Sequence, residues 1–60
     1  MKYEINDLLI VDFPVSEKRL ECFVVGIEKN DKVYQVEFYD GSCRQVMIAE
    51  SQIIKKVRSL

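Results

Sequence analysis

The segment "KVYQVEFYDGSCRQVMIAESQII", residues 32 to 54, decides the fold of this 60-residue chain. Apolar and polar residues alternate in its first half, with Tyr34, Val36 and Phe38 at the two-residue period of a strand that buries one face. An Asp-Gly pair follows at positions 40–41, and this dipeptide is a strong hairpin signal between alternating runs. The segment therefore predicts two antiparallel strands joined by a short turn.

The Asp-Gly turn can be closed in two ways, which give the strand after it different inner faces. A two-residue type I′ turn would direct a weakly apolar set inward: Cys43, Gln45 and Met47. A three-residue loop with Gly41 in the left-handed region, forming a G1 bulge, would direct Val46 and Ile48 inward. We expect the bulged loop, because Val46 and Ile48 are the better core residues. Arg44 then starts on the inner face and must extend to its rim.

Two further strands are predicted before this hairpin. Residues 8–13 form a short β-rich run that ends at Pro14, and a polar loop of about six residues follows it. Residues 20–29 form the next strand, and the Asn-Asp pair at 30–31 supplies a two-residue turn into the strand over 32–39.

The Asn-Asp turn fixes the register of this earlier hairpin. Bulky side chains then meet on one side in three pairs: Ile27 with Tyr34, Val25 with Val36, and Phe23 with Phe38. The opposite face receives a mildly apolar patch: Cys22, Val24, Tyr39, Cys43 and Met47. Such a patch is typical of contact with a partner or a second copy. The alternative is that Tyr3 and Ile5, or the loop between the first two strands, fold over it.

The chain ends in a polar 3-10 turn at 49–52 and a fifth strand at 53–57. Closure of the sheet into a small barrel would hide edges that otherwise promote aggregation. We therefore expect an all-β chain, a small five-stranded antiparallel barrel that forms a single domain over residues 1–60. Residues 1–6 are predicted to be a flexible arm or an edge extension.

The composition indicates an ordinary soluble domain and argues against catalysis. Hydrophobic residues make up 48%, charged residues 32%, and the net charge is -1. The apolar runs are too short for a membrane span and no leader pattern is present, so we expect a cytoplasmic protein. The chain has no histidine, which excludes Ser-His and Cys-His nucleophile pairs. We expect no enzyme activity, no metal site and no cofactor, and two free thiols at Cys22 and Cys43.

The pattern Y-x-V-x-F-x-D-G-x4-V-x6-I resembles the SH3-like barrels, and specifically their Tudor-like branch. It is carried by the following residues: Tyr34, Val36, Phe38, Asp40, Gly41, Val46 and Ile53. With the first strand included, the resemblance covers residues 6–57. It implies an SH3-like (Tudor-like) barrel that acts as a binding module. Similar modules in bacterial helicases and transcription factors dock onto RNA polymerase or other proteins.

Tudor domains that bind methylated lysine or arginine surround the cation with an aromatic cage. Carried over by position, the resemblance implies these cage residues: Phe13, Glu21, Phe38, Asp40 and Ser42. Phe13, Phe38 and Asp40 fit the cage type, whereas Glu21 and Ser42 stand where aromatic residues are wanted. We therefore expect Phe38 to belong to the core and Asp40 to serve as the turn former.

The sequence thus predicts a non-catalytic interaction module that binds a protein partner. The predicted contact region is the loop end of the barrel: Phe13, Tyr39 and Asp40. Val24 and Met47, on the outer sheet face, are the second choice.

Two other functions fit the same sequence. The first is nucleic-acid binding by Lys55, Lys56 and Arg58 with Tyr39 stacking on a base, although ten acidic residues leave no broad basic field. The second is a homodimer that buries Val24, Tyr39 and Met47.

Overall fold

The alternating segments form strands of one antiparallel sheet in the computed structural model, which describes residues 3–28 and 30–60. The strands are β1 (Asp7–Phe13), β2 (Lys18–Glu28), β3 (Val33–Phe38), β4 (Gln45–Ala49) and β5 (Ile53–Ser59). A 3-10 turn at Glu50–Gln52 joins β4 to β5. The predicted all-β class, the five antiparallel strands and the 3-10 turn before the last strand are confirmed.

The sheet has the order β4-β3-β2-β1-β5, so β4 and β5 are its edges and the sheet is not closed. The 3-10 turn is held beside β1, because the Gln52 side-chain amide donates to the Asp12 carbonyl at 3.2 Å. The same side chain accepts the Ala49 N–H through its oxygen at 3.0 Å. No helix in the described part of the chain is long and apolar enough to cross a membrane.

The core lies on the inner face of the curved sheet. Its buried cluster contains Leu9, Val11, Cys22, Val24, Tyr34, Val36 and Ile48. Partly buried residues pack around this cluster: Tyr3, Phe13, Ile27, Phe38, Val46 and Ile53. Tyr34 and Val36 are therefore inside as predicted, and so is Ile48. The hydroxyl of Tyr34 has no hydrogen-bond partner among the described residues, and burial raises the pKa of this group.

The predicted outward positions of Cys22 and Val24 are wrong, because both side chains are wholly buried in the core. The hairpin register starts as expected, with Ile27 opposite Tyr34. It then shifts by one residue, and Val24 rather than Val25 lies opposite Val36.

A β-bulge at Val25 explains this shift. Gly26 lies opposite Gln35 and Val24 opposite Val36, which leaves Val25 without a partner in the ladder. The extra residue moves each β2 side chain before it to the face opposite the predicted one. Phe23 is therefore half-buried outside the core cluster. A bulge also bends its strand, which suits β2 because it pairs with β1 through its first half and β3 through its second.

The turn before β3 has the predicted chemistry. Asn30 has φ 57° and Asp31 has φ 68°, and a type I′ turn requires positive φ at both central residues. Lys29, the last residue of the predicted second strand, lies outside the described residues. The loop between β1 and β2 is shorter than predicted, because Phe13 already pairs with Lys18.

The β3–β4 hairpin has the preferred inner face but a longer loop. Val46 pairs with Val36 and Ile48 with Tyr34, so the expected inward residues are confirmed. Gly41 has φ 82° in the left-handed region, also as expected. The loop spans residues 39–44 rather than three residues.

Two local features occur within this longer loop. The Asp40 carboxylate accepts the Ser42 N–H at 2.9 Å, and Cys43 adopts φ 62°. The hairpin closes only where the Phe38 N–H donates to the Arg44 carbonyl at 3.0 Å. Arg44 thus lies opposite Phe38, on the same face as Val46, and its exposed side chain extends over the Phe38 ring at the rim, as predicted.

The predicted N-terminal arm, residues 1–6, is described from Tyr3 onward, while Met1 and Lys2 lie outside the described residues. The Tyr3 ring meets Tyr34 edge-on with ring centroids 5.6 Å apart. The Asn6 N–H donates to the Val24 carbonyl at 2.8 Å. Residues 3–6 thus pack against the end of the sheet, although Ile5 is exposed.

Candidate functional site

A groove of about 280 Å³ lies where β2 extends beyond the end of β3. β2 begins at Lys18, whereas its last pair with β3 joins Cys22 to Phe38. The groove is lined by Arg19, Leu20, Glu21, Phe38, Tyr39 and Asp40. We call it the loop-end groove.

Backbone and ring contacts position Tyr39 at this groove. The Tyr39 N–H donates to the Glu21 carbonyl at 2.9 Å, which extends the β2–β3 ladder one residue past the strand. The Tyr39 ring meets Phe23 edge-on with centroids 6.1 Å apart. The side chain still has 47% of its surface exposed. Tyr39 therefore offers a supported aromatic surface to a ligand.

Asp40 shapes the loop beside the groove. Hydrogen bonds from Ser42 lower the pKa of the Asp40 carboxyl, and the nearby Arg44 guanidinium lowers it further. The Arg44 Nη2 atom lies 3.7 Å from Asp40 Oδ2. The carboxylate thus stays charged and organises a loop that is fully exposed to water.

Phe38 lies between another ring and a cation. Its ring centroid is 5.6 Å from that of Phe13, with the ring planes tilted by 53°. The Arg44 guanidinium carbon lies 5.1 Å from the Phe38 centroid, within cation–π range. Of the positions that the resemblance implied for a cage, Phe38, Asp40 and Glu21 line the groove. The chain's own Arg44 already contacts the Phe38 ring.

The predicted contact residues are only partly brought together. Tyr39 and Asp40 line the loop-end groove, whereas Phe13 is half-buried behind Phe38 and does not line it. Val24 is in the core, so it offers no outer surface. Met47 is exposed on β4 but is not part of the groove.

The predicted apolar patch loses two of its members to the core. Cys22 and Val24 are buried, which leaves Tyr39, Cys43 and Met47 on the surface. Burial, with the Asp40 carboxylate adding to it, raises the pKa of the Cys22 thiol to about 11. Both cysteines are free, and Cys22 is held as an unreactive thiol.

Arg19 and Leu20 are the groove residues that sequence reasoning missed. The sequence placed residues 14–19 in a loop, whereas the β1–β2 ladder begins already at Phe13 and Lys18. The alternation of Leu20, Cys22 and Val24 contains the signal, but the predicted register directs Cys22 and Val24 outward, whereas both are buried.

The three basic residues proposed for nucleic-acid binding lie on the edge strand β5. Lys55 pairs with Ile10 and Arg58 with Leu8, and both are exposed. The Lys56 ammonium lies 3.4 Å from the Asp7 carboxylate, whose side chain is only 2% exposed.

Asp7 joins the two ends of the described chain. Its carboxylate accepts the Glu4 N–H at 2.9 Å and the Ser59 hydroxyl at 3.0 Å, in addition to the Lys56 contact. Burial alone would raise the pKa of Asp7, but the hydrogen bonds from Glu4 and Ser59 and the charge of Lys56 lower it below 3.8. We call this group the Asp7 junction.

Across residues 3–28 and 30–60, no group of three His, Cys, Asp or Glu side chains is placed to hold a metal ion. Comparison with known proteins gives no assignment, because no protein-family model, curated protein or solved structure matches this chain.

Proposed function

We propose that this chain is a non-catalytic interaction module of the SH3-like, Tudor-like type that binds a protein partner through its loop-end groove. Two features support the fold relationship: the strand order β4-β3-β2-β1-β5 and the 3-10 turn before the last strand. The observation that carries the function is the groove itself, which contains Tyr39 and Asp40.

The lining of the groove favours a protein ligand. Leu20, Phe38 and Tyr39 supply apolar and aromatic surface, and aromatic residues are enriched at protein interfaces. The charged residues carry both signs: Arg19, Glu21 and Asp40. Two carboxylates against one guanidinium would repel a phosphate backbone, which binds chiefly through lysine and arginine.

The β5 residues support the nucleic-acid alternative less well. Lys56 is engaged with the buried carboxylate of Asp7, and release of that contact would leave a buried charge with one partner fewer. Lys55 and Arg58 alone would provide a small basic surface on a chain with a net charge of -1.

The test is a capture experiment from a lysate of the native host with the immobilised chain and two matched variants. Tyr39→Ser alters the groove, and Ile54→Ser alters an equally exposed apolar residue on β5, since the two side chains are 47% and 46% exposed. Each capture is run with and without nuclease, and at low and high salt.

We expect a protein that the wild type and Ile54→Ser retain and Tyr39→Ser loses, and that survives nuclease and high salt. Nucleic acid recovered only at low salt would contradict the proposal and support the basic residues of β5. Capture that is equal for all three chains would place the contact outside the groove. A Met47→Lys variant that becomes monomeric, starting from a dimeric wild type, would support self-association instead.

A further inference from the structure

One side of β2 lacks a partner beside the loop-end groove. The first four residues of the strand, 18–21, are all exposed, whereas Cys22 and Val24 further along are buried. β1 covers one edge of this segment, because Phe13 pairs with Lys18 and the ladder continues from there. On the other edge, pairing with β3 ends at Cys22. The segment is therefore a free strand edge within a five-stranded sheet.

The direction of the backbone groups follows from one hydrogen bond. Because the Tyr39 N–H donates to the Glu21 carbonyl, the backbone groups of Glu21 point toward the side of β3. Residues two apart in a strand point their backbone groups the same way, so those of Arg19 also face this side. Within the described residues, no backbone partner on this side is found for the Arg19 N–H, the Arg19 carbonyl or the Glu21 N–H.

These unpaired groups border the same groove that the side chains of Leu20, Phe38 and Tyr39 line. We propose that the loop-end groove takes an extended segment of the partner protein, which adds to the sheet as a strand along residues 18–21 of β2. This inference rests on the function proposed above and names the form of its ligand. Strand addition of this kind draws affinity from main-chain hydrogen bonds and specificity from alternate side chains.

The groove also defines the chemistry of the segment. The side chains of an added strand alternate between two faces, and one face would meet the apolar surface of Leu20 and Phe38. The rim carries one positive charge, on Arg19, and two negative charges, on Glu21 and Asp40. The ligand is thus an extended segment, neutral or slightly basic, in which apolar and polar residues alternate.

The experiment uses the 15N-labelled full chain and, as the probe, the tightest peptide selected from a displayed library of random linear peptides. Amide hydrogen exchange is measured by NMR with and without saturating peptide. We expect exchange at Arg19 and Glu21 to slow at least about tenfold, as for amides that gain a backbone hydrogen bond. The control is the amide of Met47, which faces away from β3 at the opposite edge and should not change.

A second measurement modifies the peptide and leaves the fold of the protein untouched. Each peptide residue is N-methylated in turn, and binding to the wild-type chain is measured by isothermal titration calorimetry. Strand addition predicts losses of about tenfold or more at every second residue of the bound stretch and smaller losses between them.

Peptide binding that Tyr39→Ser abolishes, without slower exchange at Arg19 and Glu21 and without the two-residue period, would overturn strand addition and leave the interaction function standing. A peptide that binds equally to Tyr39→Ser would instead count against the proposed function. If exchange at Arg19 and Glu21 is already slow in the free protein and speeds up on dilution, a second copy occupies the edge and the proposal fails.

Discussion

Two aspartates at opposite ends of the sheet use the same chemical group for different purposes. Asp7 is buried, and the groups that contact its carboxylate include Ser59, which is 52 positions away in the sequence. Asp40 is exposed, and its partners Ser42 and Arg44 lie within four positions. Both carboxyl groups have a lowered pKa. The comparison teaches that a pKa shift alone does not reveal whether a residue holds the fold together.

The two aspartates should differ in their contribution to stability, because water reaches Asp40 but not Asp7. Water cannot readily reach a buried charged group. If such a group loses a hydrogen bond, it is left without a partner, which lowers the free energy of unfolding. Water solvates both charges of an exposed ion pair, so the pair contributes little to the free energy of unfolding. The Asp7 junction should therefore contribute more to stability than the contacts of Asp40, and the loop end should be free to vary with the ligand.

The largest expected effect is that of Asp7→Ala. The substitution removes two hydrogen bonds to a buried carboxylate and the Lys56 contact, and should lower the free energy of unfolding by about 3 kcal/mol. Urea denaturation at pH 7 measures it. Asp40→Ala is the matched control and should shift the denaturation midpoint far less. Equal shifts for the two variants would remove the distinction between the two ends.

A smaller effect is expected from acid. Because the folded pKa of Asp7 is below 3.8, its stabilising contribution is fully present above the unfolded value and is lost as the pH falls through the folded pKa. The difference in unfolding free energy between wild type and Asp7→Ala should stay constant above about pH 5 and shrink below pH 3.8. Urea denaturation over a pH series measures it. A difference that grows in acid would refute the assignment.

The smallest effect is expected at the loop end. Arg44→Gln removes the cation over Phe38 and should lower the free energy of unfolding by about 0.5–1 kcal/mol, the value of an exposed cation–π contact. Thermal unfolding followed by circular dichroism measures it, with Arg58→Gln on β5 as the control. A loss as large as that of Asp7→Ala would show that the loop end is also structural.

The elements that the sequence predicted well depend on neighbouring residues. The alternation of Tyr34 and Val36 located β3, and the Asn-Asp and Asp-Gly pairs located both turns, because turn geometry depends on adjacent backbone conformations. For the same reason Tyr39 and Asp40, which follow β3 directly, were placed correctly at the loop end.

The elements that were missed depend on distant residues. Residues 22–25 are all apolar, so their pattern does not reveal which of them face inward. The faces are decided by pairing with β1, where Leu9 meets Cys22, and by the bulge at Val25. The Asp7 junction likewise requires β5 to pair with β1. The residues next to Asp7 in the sequence do not indicate that Lys56 and Ser59 will contact its carboxylate.

The bulge in β2 has a further consequence for how the chain can change in length. Val25 is the one residue of Cys22–Gly26 with no partner in β3, since Val24 and Gly26 pair with the consecutive residues Val36 and Gln35. Deletion of Val25 would join two stretches that already agree in register and would leave every side chain on its present face. Deletion of Val24 would give the same shortened sequence, because positions 24 and 25 are both valine. Loss of one codon at this point would thus preserve the register of β2 and β3 while removing the bend that the bulge gives to β2.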